Sequence, residues 1–82
     1  MKFELYTEVA LATDIPEHRL QKGDVATIAE SIEARPDHEP AYVLEVFSAV
    51  GESVDVLIVQ ESQIEPLGDD ELFHVRHYAA AA

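Results

Sequence analysis

The side chains that could bind a metal ion are concentrated near the end of the chain. His74 and His77 are three residues apart, and acidic residues occupy positions 69–71 just before them. On a helix, residues at i and i+3 share a face and could clasp one ion together, whereas on a strand they point to opposite faces. Because the sequence offers no third ligand at a suitable spacing, we predict no metal site here.

Nucleophilic and acid–base chemistry has no recognisable framework in the sequence. Cysteine is absent, and no serine lies in a glycine-flanked elbow. The glycines at positions 23, 51 and 68 stand apart and form no phosphate-cradling loop. His18 and His38 lie in separate loops and have the character of ordinary surface residues. Because so small a domain also leaves little room for a concave pocket, we predict no catalytic residue, no cofactor and no enzymatic activity.

Charge is the one extreme property of the chain. Seventeen Asp and Glu residues oppose five Lys and Arg residues, which gives a formal net charge of −12. Nucleic acids and anionic membranes attract proteins mainly through Lys and Arg clusters, so we predict neither as a partner. The acidity favours a basic protein surface instead, although solubility alone would also explain it.

Length and composition are those of a single small domain. The chain has 82 residues, of which 48% are hydrophobic. No run approaches the roughly 18 consecutive apolar residues of a transmembrane helix. Positions 1–5 lack the apolar core of a signal peptide. We therefore expect one domain over residues 1–78, a frayed tail over residues 79–82, and a cytoplasmic location.

A β-hairpin is the clearest structural signal in the chain. Two runs rich in Val, Ile, Leu and aromatic residues flank a connection at Ser48–Glu52 that contains Gly51. Residues that alternate along a strand share a face. The set predicted to face the core is Tyr42, Leu44, Val46, Val54, Val56 and Ile58. The set predicted to face outwards is Val43, Phe47, Leu57 and Val59.

The remaining segments also have the patterns of strands and turns. Strands are predicted over residues 3–12 and 24–32, with a bulge between Val25 and Ile28, and a short fifth strand begins at Ile64. Gly23 is expected to have a positive φ angle, and residues 33–40 form a solvated loop. Ile15 and Leu20 are expected to fix the loop between the first two strands onto the core.

Residues 72–78 are predicted to form an extended edge strand, and a short helix capped by Asp69 or Asp70 is the alternative. Five or six short strands without a clear helix describe an all-β barrel or sandwich. We favour a barrel, because closure would remove the unpaired edges of an open sheet.

Several segments resemble a known bacterial family. They are Val9–Leu11, Ile15–His18, Leu20–Val25, Tyr42–Val46, Gly51–Glu52, Glu61–Leu67 and Asp70–Arg76. Over nearly its whole length the chain resembles the domain-of-unknown-function family 4926. The resemblance implies a small SH3-like barrel of five to six short antiparallel strands with a C-terminal extension. It also implies a partner protein encoded nearby, because family members are thought to sit beside genes for toxin-like or other partner proteins. The acidity of this chain favours a basic one.

Binding to a protein surface is the hypothesis that remains. The predicted contact residues are the outward-facing hairpin set together with Val50, which stands at the tip where the family usually has a polar residue. The outward-facing set would mark a partner site unless Phe73, Val75 or the other half of the barrel covers it. We therefore predict a non-enzymatic, acidic protein-binding module, in the form of an antitoxin-like or immunity-like protein. A self-associating homodimer is the alternative, and a nucleic-acid-binding SH3-like domain is a weaker one.

Overall fold

Five antiparallel strands form one sheet in the part of the chain that the structure describes. The structure, a computed structural model, describes residues 2–78, so the predicted frayed tail at residues 79–82 lies outside the described residues. The strands are β1 (Glu8–Leu11), β2 (Val25–Ile32), β3 (Ala41–Phe47), β4 (Ser53–Gln60) and β5 (Ile64–Pro66). Single 3₁₀ turns are present at Pro16–His18 and Glu61–Gln63. Neither turn is long or apolar enough to cross a bilayer, and the described residues contain no longer helix.

The sheet has the order β4-β3-β2-β1-β5, in which the last strand returns to pair with the first. The β2 strand is its pivot, because its first half pairs with β1 and its second half with β3. The β2–β3 register shifts between Ile28 and Glu30, directly after the predicted bulge. Such an irregularity bends a strand and increases its twist. The all-β prediction is confirmed, and the bent five-stranded sheet is consistent with a small barrel.

Turns and loops hold the strands where the sequence predicted them. Gly23 has a φ of 94° and Gly51 a φ of 85°, both in the left-handed region that favours glycine. Ile15 and Leu20 are buried and bridge to each other, so they fix the β1–β2 loop as predicted. The β1 strand is shorter than predicted, because Tyr6 adopts a φ of 65° in a turn that precedes it.

The core contains the predicted inward face of β3 but the opposite face of β4. Tyr42 and Leu44 are fully buried, and they pair directly with Val59 and Leu57, which are buried too. The prediction that Leu57 and Val59 face outwards is therefore wrong. So is the prediction that the alternate residues of β4 face the core, since Val54, Val56 and Ile58 are exposed.

A β-bulge near the hairpin tip explains the reversal. Phe47 pairs with Ser53, but the next pair is Val46 with Asp55, so Val54 is an extra residue on β4. One extra residue shifts the pairing by one position and turns every later side chain to the other face. In the unbulged register Asp55 would stand directly opposite Glu45, and like charges in that position destabilise a strand pair.

Tyr42 links the core to two chain segments. Its hydroxyl donates a hydrogen bond to Glu61 Oε2 at 2.7 Å and accepts one from the Phe3 amide at 3.2 Å. The Phe3 ring packs edge-on against it, with centroids 5.5 Å apart. Burial raises the pKa of the Tyr42 hydroxyl, and the hydrogen bond to Glu61 adds to the effect. The N-terminal segment is thereby fixed over one side of the sheet.

The C-terminal segment, residues 67–78, has no regular secondary structure, so the predicted edge strand is wrong. A turn at its start is closed by a hydrogen bond from the Glu71 amide to the Gly68 carbonyl. Near its end, Arg76 and Tyr78 bind residues of the β1–β2 loop and its border with β2. These side-chain anchors hold the segment at points along its length, and none of it pairs with a strand.

Candidate protein-binding surface

The side of the β3–β4 hairpin that faces away from the core is apolar. Val56 and Ile58 on β4 are 54% and 67% exposed, and Phe47 on β3 is 43% exposed. Val43 is half-buried and pairs directly with Ile58. These four residues, Val43, Phe47, Val56 and Ile58, are named the outer face. Single exposed aliphatic residues are ordinary on protein surfaces, but a contiguous group marks a potential contact site.

The structure divides the predicted contact residues into two groups. Val43 and Phe47 lie on the outer face, and Val50 is 81% exposed at the hairpin tip. Leu57 and Val59 are core residues and are replaced on the outer face by Val56 and Ile58. The charge pattern could have indicated this orientation of β4. A regular hairpin would place Asp55 opposite Glu45, whereas the bulged register separates the two carboxylates.

The outer face lies in a part of the chain that has no cationic side chain of its own. Residues 36–75 contain no Lys or Arg. Their acidic residues are Asp37, Glu39, Glu45, Glu52, Asp55, Glu61, Glu65, Asp69, Asp70 and Glu71. Glu45 pairs with Val56 and therefore borders the outer face directly. Glu45 thus places negative charge directly beside the apolar side chains of the outer face.

One polar cluster joins β4 to the loop and to the C-terminal segment. His18 Nδ1 lies 2.7 Å from Asp55 Oδ2. The Tyr78 hydroxyl donates a hydrogen bond to the His18 carbonyl at 3.0 Å and lies 3.5 Å from Asp55 Oδ2. The sequence interpretation of His18 as an ordinary surface residue missed this cluster, whose members are far apart along the chain.

An ion pair between Asp24 and Arg76 anchors the C-terminal segment. Arg76 Nε donates to Asp24 Oδ1 at 2.9 Å, and the terminal guanidinium nitrogen pairs with the other carboxylate oxygen. Burial alone would raise the pKa of Asp24, but hydrogen bonds from Arg76 and the Gln21 amide, with the charge of Arg76, lower it overall. The hydrogen bond to Asp24 raises the pKa of Arg76. Both groups therefore stay charged at neutral pH.

Comparison with known proteins places this chain in a family. A family model described as "Domain of unknown function (DUF4926)" matches residues 5–66. The chain belongs to the DUF4926 family. All five strands of this DUF4926 protein lie within the matched residues, and the C-terminal segment lies beyond them. No curated protein and no solved structure matches the chain.

An open groove lies between the C-terminal segment of this DUF4926 protein and the end of the sheet. Its volume is about 580 Å³, and its apolar lining includes Leu20, Val46, Phe47, Leu67 and Phe73. The groove is open to solvent, and the irregular C-terminal segment forms one of its sides. The Asp24–Arg76 ion pair lies on its wall, so those two charges already satisfy each other.

The two histidines of the C-terminal segment were considered in the sequence as potential metal ligands. His74 and His77 are both exposed in the irregular C-terminal segment. Within residues 2–78, no group of three His, Asp or Glu side chains is placed to hold a metal ion. The outer face combines exposed apolar side chains with nearby acidic residues on two regular strands, whereas the exposed Leu72, Phe73 and Val75 lie in the irregular C-terminal segment.

Proposed function

We propose that this DUF4926 protein is a non-enzymatic module that binds a basic protein through the outer face of its β3–β4 hairpin. The observation that carries the proposal is the exposed apolar face of Val56 and Ile58 within a stretch that lacks cationic residues. Apolar area supplies affinity, and the surrounding acids select a partner of opposite charge. The family resemblance supports a partner encoded nearby, of an antitoxin-like or immunity-like pair.

The apolar contacts alone give only part of a useful affinity. Burying an aliphatic side chain completely contributes about 1.5–3 kcal/mol, so the exposed parts of Val56 and Ile58 supply about 2–3 kcal/mol together. A micromolar dissociation constant needs about 8 kcal/mol. The remainder has to come from Phe47, from charge complementarity and from hydrogen bonds to the partner.

Charge favours a different partner over a second copy of the chain. In a homodimer built on the outer face, the Glu45 carboxylates of both copies would add to a net charge of −12 on each. Such like-charge contacts oppose association. Light scattering over a range of concentrations tests this alternative, and we expect a monomer throughout.

The decisive experiment is capture of the partner followed by measurement with purified proteins. The products of adjacent genes are tested first, and any protein co-purified from native extract is identified by mass spectrometry. Binding is then measured by calorimetry for the native chain and for Val56→Ser. We expect Val56→Ser to weaken binding by about tenfold, since it removes an apolar contact of about 1–2 kcal/mol.

The matched control is Val75→Ser, which makes the same change at an exposed valine of the C-terminal segment. We expect the control to bind like the native chain. Affinity should also fall with added salt if the partner is basic. Equal binding by Val56→Ser and the native chain, or the absence of any protein partner, contradicts the proposal.

A further inference from the structure

Among residues 2–78, β4 forms an edge of the sheet and has β3 as its only neighbouring strand. Its backbone groups alternate between β3 and the free side, as in any antiparallel pair. The Val56 and Gln60 amides donate to the side chains of Asp55 and Gln63, both at 2.8 Å, so they point away from β3. The Glu61 amide instead donates to the Pro40 carbonyl beyond the start of β3, at 2.9 Å.

Because of this alternation, the backbone groups of Ile58 point in the same direction as those of Val56 and Gln60. The N–H and C=O groups of Ile58 therefore face the free edge, and its side chain lies on the outer face. The same residues thus offer apolar side chains and backbone hydrogen-bonding groups. Natural edge strands are usually blocked by Lys, Pro, bulges or inward charges. On β4 the bulge at Val54 and the Asp55 carboxylate block the first half of the edge, and the Gln63 side chain caps the Gln60 amide at its end. The Ile58 amide lies between these two capped amides.

We propose that the partner binds by adding an extended strand to the β4 edge, and that this strand alternates apolar and basic residues. The inference rests on the proposed function and specifies how it is carried out. Backbone groups of the added strand pair with those of Val56 and Ile58. Its apolar side chains lie beside theirs and extend the outer face.

The basic character follows from Asp55. When a strand is added, its carbonyl replaces Asp55 Oδ1 as the acceptor of the Val56 amide hydrogen. The displaced Oδ1 then faces the new strand while Oδ2 stays with His18, and a Lys or Arg on that strand supplies the displaced oxygen with a charged donor. A second copy of this β4 cannot do so, because residues 36–75 contain no Lys or Arg.

Designed peptides test the inference even before the natural partner is identified. The probe is a short peptide of alternating lysine and valine with blocked ends, added to the full ¹⁵N-labelled chain. We expect slower hydrogen exchange at the Ile58 amide and chemical-shift changes along β4. A second peptide carries N-methyl groups on the backbone nitrogens that would face β4. Each blocked hydrogen bond should weaken binding about fivefold.

Asp55→Asn keeps the Oδ1 acceptor but removes the charge. We expect it to weaken lysine–valine binding by up to about fivefold. The matched control is Glu65→Gln on β5, at the other edge of the sheet, which should have a smaller effect. A peptide of alternating glutamate and valine should not bind.

Three results would overturn strand addition. The first is failure of the lysine–valine peptide to bind, and the second is equally strong binding of the N-methylated peptide. The third is protection of the Ile58 amide from hydrogen exchange at high protein concentration without any peptide. The last result would assign the edge to a second copy. The capture experiment with Val56→Ser tests the proposed function separately. Equal binding of the lysine–valine peptide and its N-methylated form would therefore overturn strand addition without contradicting the proposed function.

Discussion

Two identical substitutions on β4 test the register that decides which residues are available to a partner. Val59 is 2% exposed and Val56 is 54% exposed, although they are only three residues apart on one strand. Replacement of either valine by threonine preserves the β-branched shape and adds one hydroxyl group. At Val59 the hydroxyl enters the core, where an unsatisfied polar group costs about 1–3 kcal/mol. At Val56 it meets water, and the cost should stay within about 0.5 kcal/mol.

Thermal unfolding followed by circular dichroism measures the difference. A loss of 1 kcal/mol lowers the Tm of a domain of this size by about 4–8 °C, so Val59→Thr should lower it by about 5–20 °C. The Tm of Val56→Thr should stay within about 4 °C of the native value. Urea denaturation gives the same comparison at constant temperature. A larger loss for Val56→Thr than for Val59→Thr would show that the bulge at Val54 is absent and that the outer face is wrongly assigned.

Three further predictions follow from the anchors of the fold. Tyr42→Phe removes a buried hydroxyl that serves two hydrogen bonds and should lower the free energy of unfolding by about 1–2 kcal/mol in urea denaturation. Because Arg76 helps to lower the pKa of Asp24 in the folded state, the Asp24 carboxylate stabilises the fold above about pH 4, and this contribution is lost as pH falls through its folded pKa. The stability difference between native and Arg76→Gln chains should therefore shrink below about pH 4, and a difference independent of pH would contradict the ion pair. Gly51→Ala should destabilise the hairpin by about 1 kcal/mol in thermal unfolding because of its positive φ, with Gly51→Asn milder.

The strands were predictable from sequence, but the orientation of β4 was not. Alternating aliphatic residues at positions 53–60 indicate a strand because their period is two. They do not show which alternate set is buried, because Val56 and Ile58 are as apolar as Leu57 and Val59. On β3, the charged Glu45 marks the alternate set that faces outwards. The prediction that Tyr42 and Leu44 face the core was confirmed.

The fate of the C-terminal segment depends on contacts that no local pattern reveals. Arg76 meets Asp24 across 52 residues, and Tyr78 meets His18 across 60. The composition of residues 72–78 is typical of a strand and contains no sign of those partners, so it predicts an edge strand. Likewise, the apolar outer face was predictable as a type of surface, whereas its true members depended on the bulge.

The extra residue Val54 makes the identity of the interior depend on whether the hairpin is bulged. Because both sides of β4 carry aliphatic groups, a relative that keeps every residue of β4 but pairs it with β3 without a bulge would turn the strand over and still fill its interior. Such a relative would display the side that holds Leu57 and Val59 here, with a different shape and a different placement of acids. Gain or loss of one bulge would then let nearly unchanged strands acquire new binding preferences.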